Sequence, residues 1–584
     1  MNTRRILVMP LAAVMSVLPQ QAGATETAAV SPDSAANAAR CAALVQSMAG
    51  HWPDASTRLL STTFNPAGPA PVPPGPPGMT PPPVELPAHC AIIGTMRERT
   101  GVEGQRYAIK FHLRLPVAWN GRFFVSGGGG TNGELGDAIG RLTAAPPALA
   151  QGYAVLSQDS GHDNATNSDP ARGGASAFGF DPQARADYGG TSLQPVTLAA
   201  KAAIRHFYGS DPRQSYFVGC SKGGQEGMML AQRYPDLFDG IVAAAPGFSL
   251  PKAAVAEAWN TQAFASVVQA AGKPVTLANL RSSFSMGDLA LVGKSVLAAC
   301  DALDGMTDGL VGAVGQCTSD KVLPRLRASL CKGDKAEGCL SQPQIDALVR
   351  IHQGARDSKG QQIYPGFPWD AGWADMGWRI WMLGTLDGSV PPINVVMGMP
   401  SLAAVFTTPP SLAGTTPDEL LAWAMQLDMD DAAARVEAVA APFTRSAWQD
   451  IGARSADLDA FRARGGKLIV PHGVSDPVFS VNDTLAWLGE VDARYEGAAK
   501  DFVRVFPVPG MAHCSGGPAT DQYDALGALV AWVEQGKRPD QLIGTAGPMS
   551  GLNGIKRSIC AAPAIARLEN TQDPVAAQIA CTQP

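Results

Sequence analysis

Short apolar runs alternate with longer amphipathic stretches along much of this chain. Phe111-His-Leu-Arg-Leu-Pro116 and Arg122-Phe-Phe-Val125 are β-rich, the second running into a glycine cluster, and Tyr153-Ala-Val-Leu156 follows. The pattern then predicts a helix from Val196 to Tyr208, a strand at Ser215–Val218, a helix from Gln225 to Arg233 and a strand at Gly240–Ala243. Strands alternating with helices of this length predict an α/β fold, a mostly parallel sheet covered on both faces. From 251 to 466 the alternation fades into an irregular stretch with four cysteines, an aspartate cluster and Trp369, Trp373, Trp378 and Trp381. That stretch reads as an inserted domain. Strand patterns resume at Lys467–Val470 and Phe502–Phe506, so 25–250 and 467–584 read as two parts of the main domain. Proline-rich residues 66–87, through Pro71, Pro73, Pro74 and the run Pro81–Pro83, exclude a regular helix or central strand and predict an extended surface connection.

At 584 residues the chain exceeds what one hydrophobic core usually organises, which agrees with an insertion. A net charge of −6 and a charged fraction of 16% provide no basic stripe for a phosphate backbone, so nucleic acid is not an expected partner. Residues 1–24 read as an export signal: Arg4 and Arg5, an apolar stretch from Ile6 to Leu18, and the cleavage site Ala22-Gly23-Ala24. The alternative, a membrane anchor, is disfavoured because the apolar run is shorter than the ~20 residues a span needs. The expected location is the periplasm or the extracellular medium, with no membrane partner. In an oxidising compartment the ten cysteines are expected to form disulfides. Proximity suggests Cys331 with Cys339, Cys300 with Cys317 and Cys560 with Cys581, and Cys41 and Cys90 bracket the proline-rich segment.

Gly219-Cys-Ser221-Lys-Gly223 fits G-x-S-x-G and lies between an apolar strand and a helix, the setting a nucleophile elbow requires. A serine hydroxyl needs a base to take its proton, and that base needs an orienting carboxylate. Both follow downstream in the order Ser…Asp…His. Asp476 ends His472-Gly-Val-Ser-Asp after one strand, and His513 lies in Gly510-Met-Ala-His-Cys514 after the next. His513 is the only histidine beyond Asp476, and His472 reads as a structural support of the Asp476 loop. If Ser221 and His513 meet, the adjacent Cys220 and Cys514 should lie within bonding distance; two free thiols are the alternative. The oxyanion of a tetrahedral intermediate needs N–H donors: Lys222, just after the serine, and a glycine of Gly127–Gly130, with Gly129 or Gly130 the choice left open.

Asp301, Asp304 and Asp308 crowd one turn-rich segment, with no lysine or arginine between Val296 and Gly315. Their repulsion suggests a hard cation such as Ca²⁺, although the spacing is not that of an EF-hand and a solvated turn is the alternative.

These features together resemble the tannase and feruloyl esterase family over nearly the whole mature chain. The marks are Gly219-Cys-Ser-Lys-Gly-Gly224, Gln232-Arg-Tyr-Pro-Asp-Leu-Phe-Asp-Gly-Ile-Val242, His472-Gly-Val-Ser-Asp476 and His513-Cys514. The resemblance implies an α/β-hydrolase fold with a lid at 251–466, and all five cysteine pairings, Cys220 with Cys514 included. It implies structural Ca²⁺ held by the Asp301, Asp304 and Asp308 side chains and the carbonyls of Met306 and Leu310. It also implies an ester of an aromatic acid bound between lid and main domain, where Phe479, Trp378 and Trp381 are the expected substrate contacts. Two departures stand out. Gln194 replaces an expected histidine. The terephthalate monoester hydrolases of that family hold a free carboxylate with a lid arginine, yet no lysine or arginine lies between Arg379 and Arg435. The expected substrate is therefore a small feruloyl, galloyl or related phenolic ester, with a terephthalate monoester as the alternative. A serine peptidase or a non-catalytic binding protein is a weaker expectation, and the oligomeric state is left open.

Overall fold

The structure, a computed structural model, describes residues 32–71, 84–552, 554–569 and 578–583. The expected export signal and the middle of the proline-rich segment lie outside the described residues. After helix α1 (Pro32–Ser47) come strands β1 (Arg58–Asn65), β2 (His89–Thr100), β3 (Arg106–Pro116), β4 (Arg122–Ser126) and β5 (Ala154–Gln158). Then follow α2 (Leu193–Tyr208), β6 (Gln214–Cys220), α3 (Lys222–Arg233) and β7 (Gly240–Ala244). The insertion carries helices α4 (Leu250–Ala270), α5 (Met286–Cys300) and α6 (Met376–Leu383), and the main domain resumes with β8 (Lys467–Gly473), α7 (Val481–Arg494), β9 (Val503–Val508) and α8 (Ala525–Gln535).

Nine strands form one sheet in the order β1-β2-β3-β5-β4-β6-β7-β8-β9. From β5 to β9 every pairing is parallel. At the other edge β1, β2 and β3 are antiparallel, and β3 meets β5 antiparallel. The short connection between β2 and β3 cannot make the crossover that parallel strands need, so this edge had to be antiparallel. On β4, Phe123 and Val125 join the core beneath α2, α3 and α7, while Phe124 joins the opposite core against α8. Burial on both faces explains why the central strands read as continuous apolar runs. This is an α/β-hydrolase fold, with helices on both sides of a large mixed sheet.

The inserted stretch builds its own core around α4, α5 and α6, with Trp369, Trp373 and Trp378 fully buried. Its last part returns to the sheet: Ala453, Leu458 and Phe461 pack into the core shared with α2 and α3. Five disulfides join Cys41–Cys90, Cys220–Cys514, Cys300–Cys317, Cys331–Cys339 and Cys560–Cys581. Among the described residues no helix is long and apolar enough to cross a membrane.

Candidate active site

Ser221 sits between β6 and α3 with φ 64° and ψ −122°, a backbone conformation rarely adopted by a side-chain-bearing residue and costing about 1–3 kcal/mol. The neighbouring glycines make that turn possible. A Cβ on Gly219 would meet the carbonyl oxygen of Gly223 at 2.5 Å, and one on Gly223 would meet that of Gly128 at 2.7 Å. The spent geometry is held from outside: Ser221 N–H donates to the Ala244 carbonyl at the end of β7 and Gly247 N–H donates to the Ser221 carbonyl, each at 3.1 Å.

Asp476 follows β8 and is fully buried. Its Oδ1 accepts from the N–H groups of Val478 (2.8 Å) and Phe479 (3.0 Å), and its Oδ2 lies 2.8 Å from His513 Nδ1. Burial by itself would raise this carboxyl, but His513 and His472 outweigh it and hold the group well below the usual carboxylate range. His472 is fixed on both ring nitrogens, by the Thr484 hydroxyl at 2.8 Å and the Phe479 carbonyl at 2.9 Å, with Nε2 also 3.5 Å from Asp476 Oδ2. With Nδ1 of His513 committed to Asp476, its Nε2 is left for a reacting group. The Cys220–Cys514 bridge, Cα atoms 6.0 Å apart, ties the residue before Ser221 to the residue after His513.

Ser221, Lys222, Gly130 and Thr131 line one wall of a cavity that the lid closes with Leu250, Glu257, Trp381 and Met397. Rings flank the histidine: the Trp381 and Phe479 centroids lie 5.6 and 5.4 Å from that of His513, both edge-on. Trp378 requires a correction. Expected at the substrate, it is instead fully buried in the lid core, stacked on Trp373 at 5.2 Å and edge-on to Phe264 at 5.9 Å. The two tryptophans lie three positions apart on α6, on the same side of the helix one turn from each other, and their surroundings differ: Trp381 lines the cavity beside His513 and Trp378 packs in the lid core. Of the two glycines left open, Gly130 lines the cavity, at φ 54°, while Gly129 does not.

The glycine loop is anchored by a buried ion pair. Lys222 Nζ lies 3.0 Å from Glu226 Oε1, both side chains 1% exposed. Glu226 also accepts from Gly128 N–H and Asn132 Nδ2, each at 2.9 Å, and from the Ser160 hydroxyl at 3.2 Å. Burial lowers the Lys222 ammonium despite the carboxylate beside it. Glu226 was missed from the sequence, where a Lys–Glu pair four residues apart on a helix reads as an ordinary surface pair. Glu257 and Thr131 were missed as well, since neither belongs to a motif. The available signal for Glu257 was a single charged residue within the apolar run Ala253–Trp259. Gln194, the departure noted above, is exposed at the second position of α2.

The aspartate turn differs from its sequence picture. Arg557, from a strand near the C-terminus, pairs with Asp308 at 2.7 Å, supplying the cation that the local sequence lacks. Asp301 accepts from the N–H groups of Asp308 and Gly309, and Asp304 Oδ1 accepts from Met306 N–H. Among the described residues Asp304 Oδ2 is buried with no partner, and burial, then Asp308 and Asp301, raise this carboxyl to about 6. The oxygen donors and the orphaned carboxylate atom suit a hard cation. Among the described residues, however, no group of three or more His, Cys, Asp or Glu side chains is arranged to hold a metal ion.

Residues 90–581 match the family described as tannase and feruloyl esterase. The mono(2-hydroxyethyl) terephthalate hydrolase of Piscinibacter sakaiensis is 41% identical, over 91% of this chain and 90% of that protein. A probable feruloyl esterase of Arthroderma benhamiae is 26% identical over 82% of each chain. Among solved structures, feruloyl esterase B from Aspergillus oryzae superposes with a TM-score of 0.70 at 22% identity, covering 93% of this chain and all of that one. Tannin acyl hydrolase from Aspergillus niger gives a TM-score of 0.62 at 20% identity, covering 94% and 96%.

Proposed function

Because the chain belongs to the tannase and feruloyl esterase family and is a carboxylic ester hydrolase, we propose that Ser221, His513 and Asp476 perform the hydrolysis in two acyl-transfer steps. Ser221 Oγ attacks the ester carbonyl carbon as His513 Nε2 takes its proton; the oxyanion that forms is met by the N–H groups of Lys222 and of Gly130 or Thr131. His513 then gives the proton to the departing alcohol. Water, activated by the same nitrogen, attacks the acyl-enzyme and releases the acid. The observation that carries this is the position of His513, its Nδ1 2.8 Å from a buried Asp476 and its loop bonded to the serine turn. A fluorophosphonate probe should label the wild type and not Ser221→Ala; an unlabelled wild type would remove the serine mechanism.

The substrate we favour is an ester of a phenolic acid with no free carboxylate. In support, the cavity is walled by the rings of Trp381, Phe479 and Phe406, and the one basic side chain among its lining residues, Lys222, is already paired with Glu226. A second substrate, the terephthalate monoester, is favoured by the 41% identical relative whose name carries it. Comparing kcat/KM for methyl ferulate, methyl gallate, chlorogenate and mono(2-hydroxyethyl) terephthalate decides between them: preference for the last overturns the carboxylate argument.

Two further elements belong to this proposal. Ca²⁺ would be held by Asp301, Asp304 and Asp308 with the carbonyls of Met306 and Leu310, where it would neutralise buried carboxylates and take no part in the chemistry. Export to an oxidising compartment, with removal of residues 1–24, is supported by the five disulfides. N-terminal sequencing of the protein from the periplasm and medium tests the cleavage, since Met1 at the N-terminus of the mature protein would refute it.

A further inference from the structure

On lid helix α4, Leu250, Ala254 and Glu257 follow one another at helical spacing and line the cavity that holds Ser221. Glu257 is 7% exposed. Among the described residues no hydrogen bond or ion pair reaches its carboxyl; the Thr261 hydroxyl donates to its main-chain carbonyl instead. A buried carboxyl without a partner loses its hydration and recovers nothing within the free protein. Space has nevertheless been made for it. A Cβ on Gly398 would lie 1.8 Å from Glu257 Oε2, while Gly398 itself has ordinary helical angles, φ −66° and ψ −47°. This glycine is therefore needed for room, not for backbone conformation. Burial, with no charged neighbour opposing it, pushes the carboxyl well above its ordinary value and so favours its protonated form.

A neutral carboxyl offers one O–H donor and one carbonyl acceptor side by side. A phenolic hydroxyl, itself both donor and acceptor, matches that pair, and the remaining walls supply the flat apolar surfaces of Trp381, Phe479 and Phe406. We propose that Glu257 is a substrate-recognition residue whose carboxyl binds a hydroxyl group on the aromatic ring of the ester. The partner missing from the free protein is then supplied by the substrate. A site built to hydrogen-bond a hydroxyl discriminates strongly against the analogue lacking it, because the buried group is left unpaired.

This inference rests on the phenolic-ester function proposed above, and the test separates the two. Methyl p-coumarate and methyl cinnamate differ by one ring hydroxyl. The ratio of their kcat/KM values should favour the hydroxylated ester in the wild-type full chain and fall at least tenfold in Glu257→Leu. It should fall less in Glu257→Gln, which keeps a donor and an acceptor. The melting temperature of Glu257→Leu should not drop, since a side chain serving only the fold would be missed there. A wild type that cleaves p-nitrophenyl acetate but neither aromatic ester overturns the substrate class, and this inference with it. A wild type that cleaves both, with a ratio that moves less than twofold in both variants, overturns the role of Glu257 alone. Equal losses on both esters with a lowered melting temperature also overturn it, assigning Glu257 to structure.

Discussion

The two walls of the cavity contrast in how their polar groups are held. On the sheet side, Asp476 accepts from two backbone N–H groups and faces two histidines, and Glu226 joins Lys222, Gly128, Asn132 and Ser160. On the lid side, the carboxyl of Glu257 lines the same cavity and has no hydrogen-bond or ion-pair partner among the described residues. Groups that must stabilise charge during the reaction are preorganised before substrate arrives, so no reorganisation is needed at that moment. The lid can leave a group unmet because the substrate completes it. The contrast locates chemistry in the sheet loops and selectivity in the insertion.

The largest effect should come from the most completely held group. Asp476→Asn is expected to reduce kcat about 10⁴-fold with little change in KM, since His513 would lose its tautomer; a tenfold loss would show that the histidine does not depend on this carboxylate. Replacing Cys220 and Cys514 by serine should lower stability by up to about 5 kcal/mol on loop-closure entropy, read from denaturant unfolding. An unchanged midpoint would show that the sheet loops need no such tie. The double variant Lys222→Met/Glu226→Met strands no buried charge but takes the acceptor from Gly128 N–H, Asn132 and Ser160, so its melting temperature should fall and kcat should drop about 10²-fold as the glycine loop is released. On the lid side the effects are smaller. Arg557→Ala should destabilise the aspartate turn by about 1 kcal/mol, and added Ca²⁺ should restore the melting temperature if that turn takes the ion. Chelator-treated protein whose melting temperature ignores Ca²⁺ in both forms would exclude it.

Glu257 provides the smallest and most specific test. Its carboxyl is raised in the folded protein above the ordinary 4.5, so between those two values the native state holds a proton that the unfolded chain has released. The resulting stabilisation is fully present below pH 4.5 and is lost as pH rises toward the folded value. Glu257→Gln does not titrate, so its melting temperature relative to wild type should climb from pH 5 to pH 8. A constant difference would mean that the carboxyl is paired after all.

The amino-acid sequence by itself determined the alternation of strands and helices, the serine turn, and the order of Ser221, Asp476 and His513. Those features are local: an apolar run, a glycine on each side of a strained residue, and a loop after a strand each leave a short-range signature. Even the Cys220–Cys514 bridge was readable, because each sulfur is adjacent to a residue of one site. Tertiary structure alone decided which turn of α6 meets the cavity, leaving Trp378 in the lid core and Trp381 beside His513. It also gave Asp308 a cation from Arg557, 249 residues away, and put Glu257 in the cavity that Ser221 lines, with no partner for its carboxyl among the described residues. Such pairings depend on how the lid and the C-terminal strands fold back onto the sheet. Helical periodicity marks a residue as buried, but the group it is buried against is set by contacts between segments that no local pattern encodes.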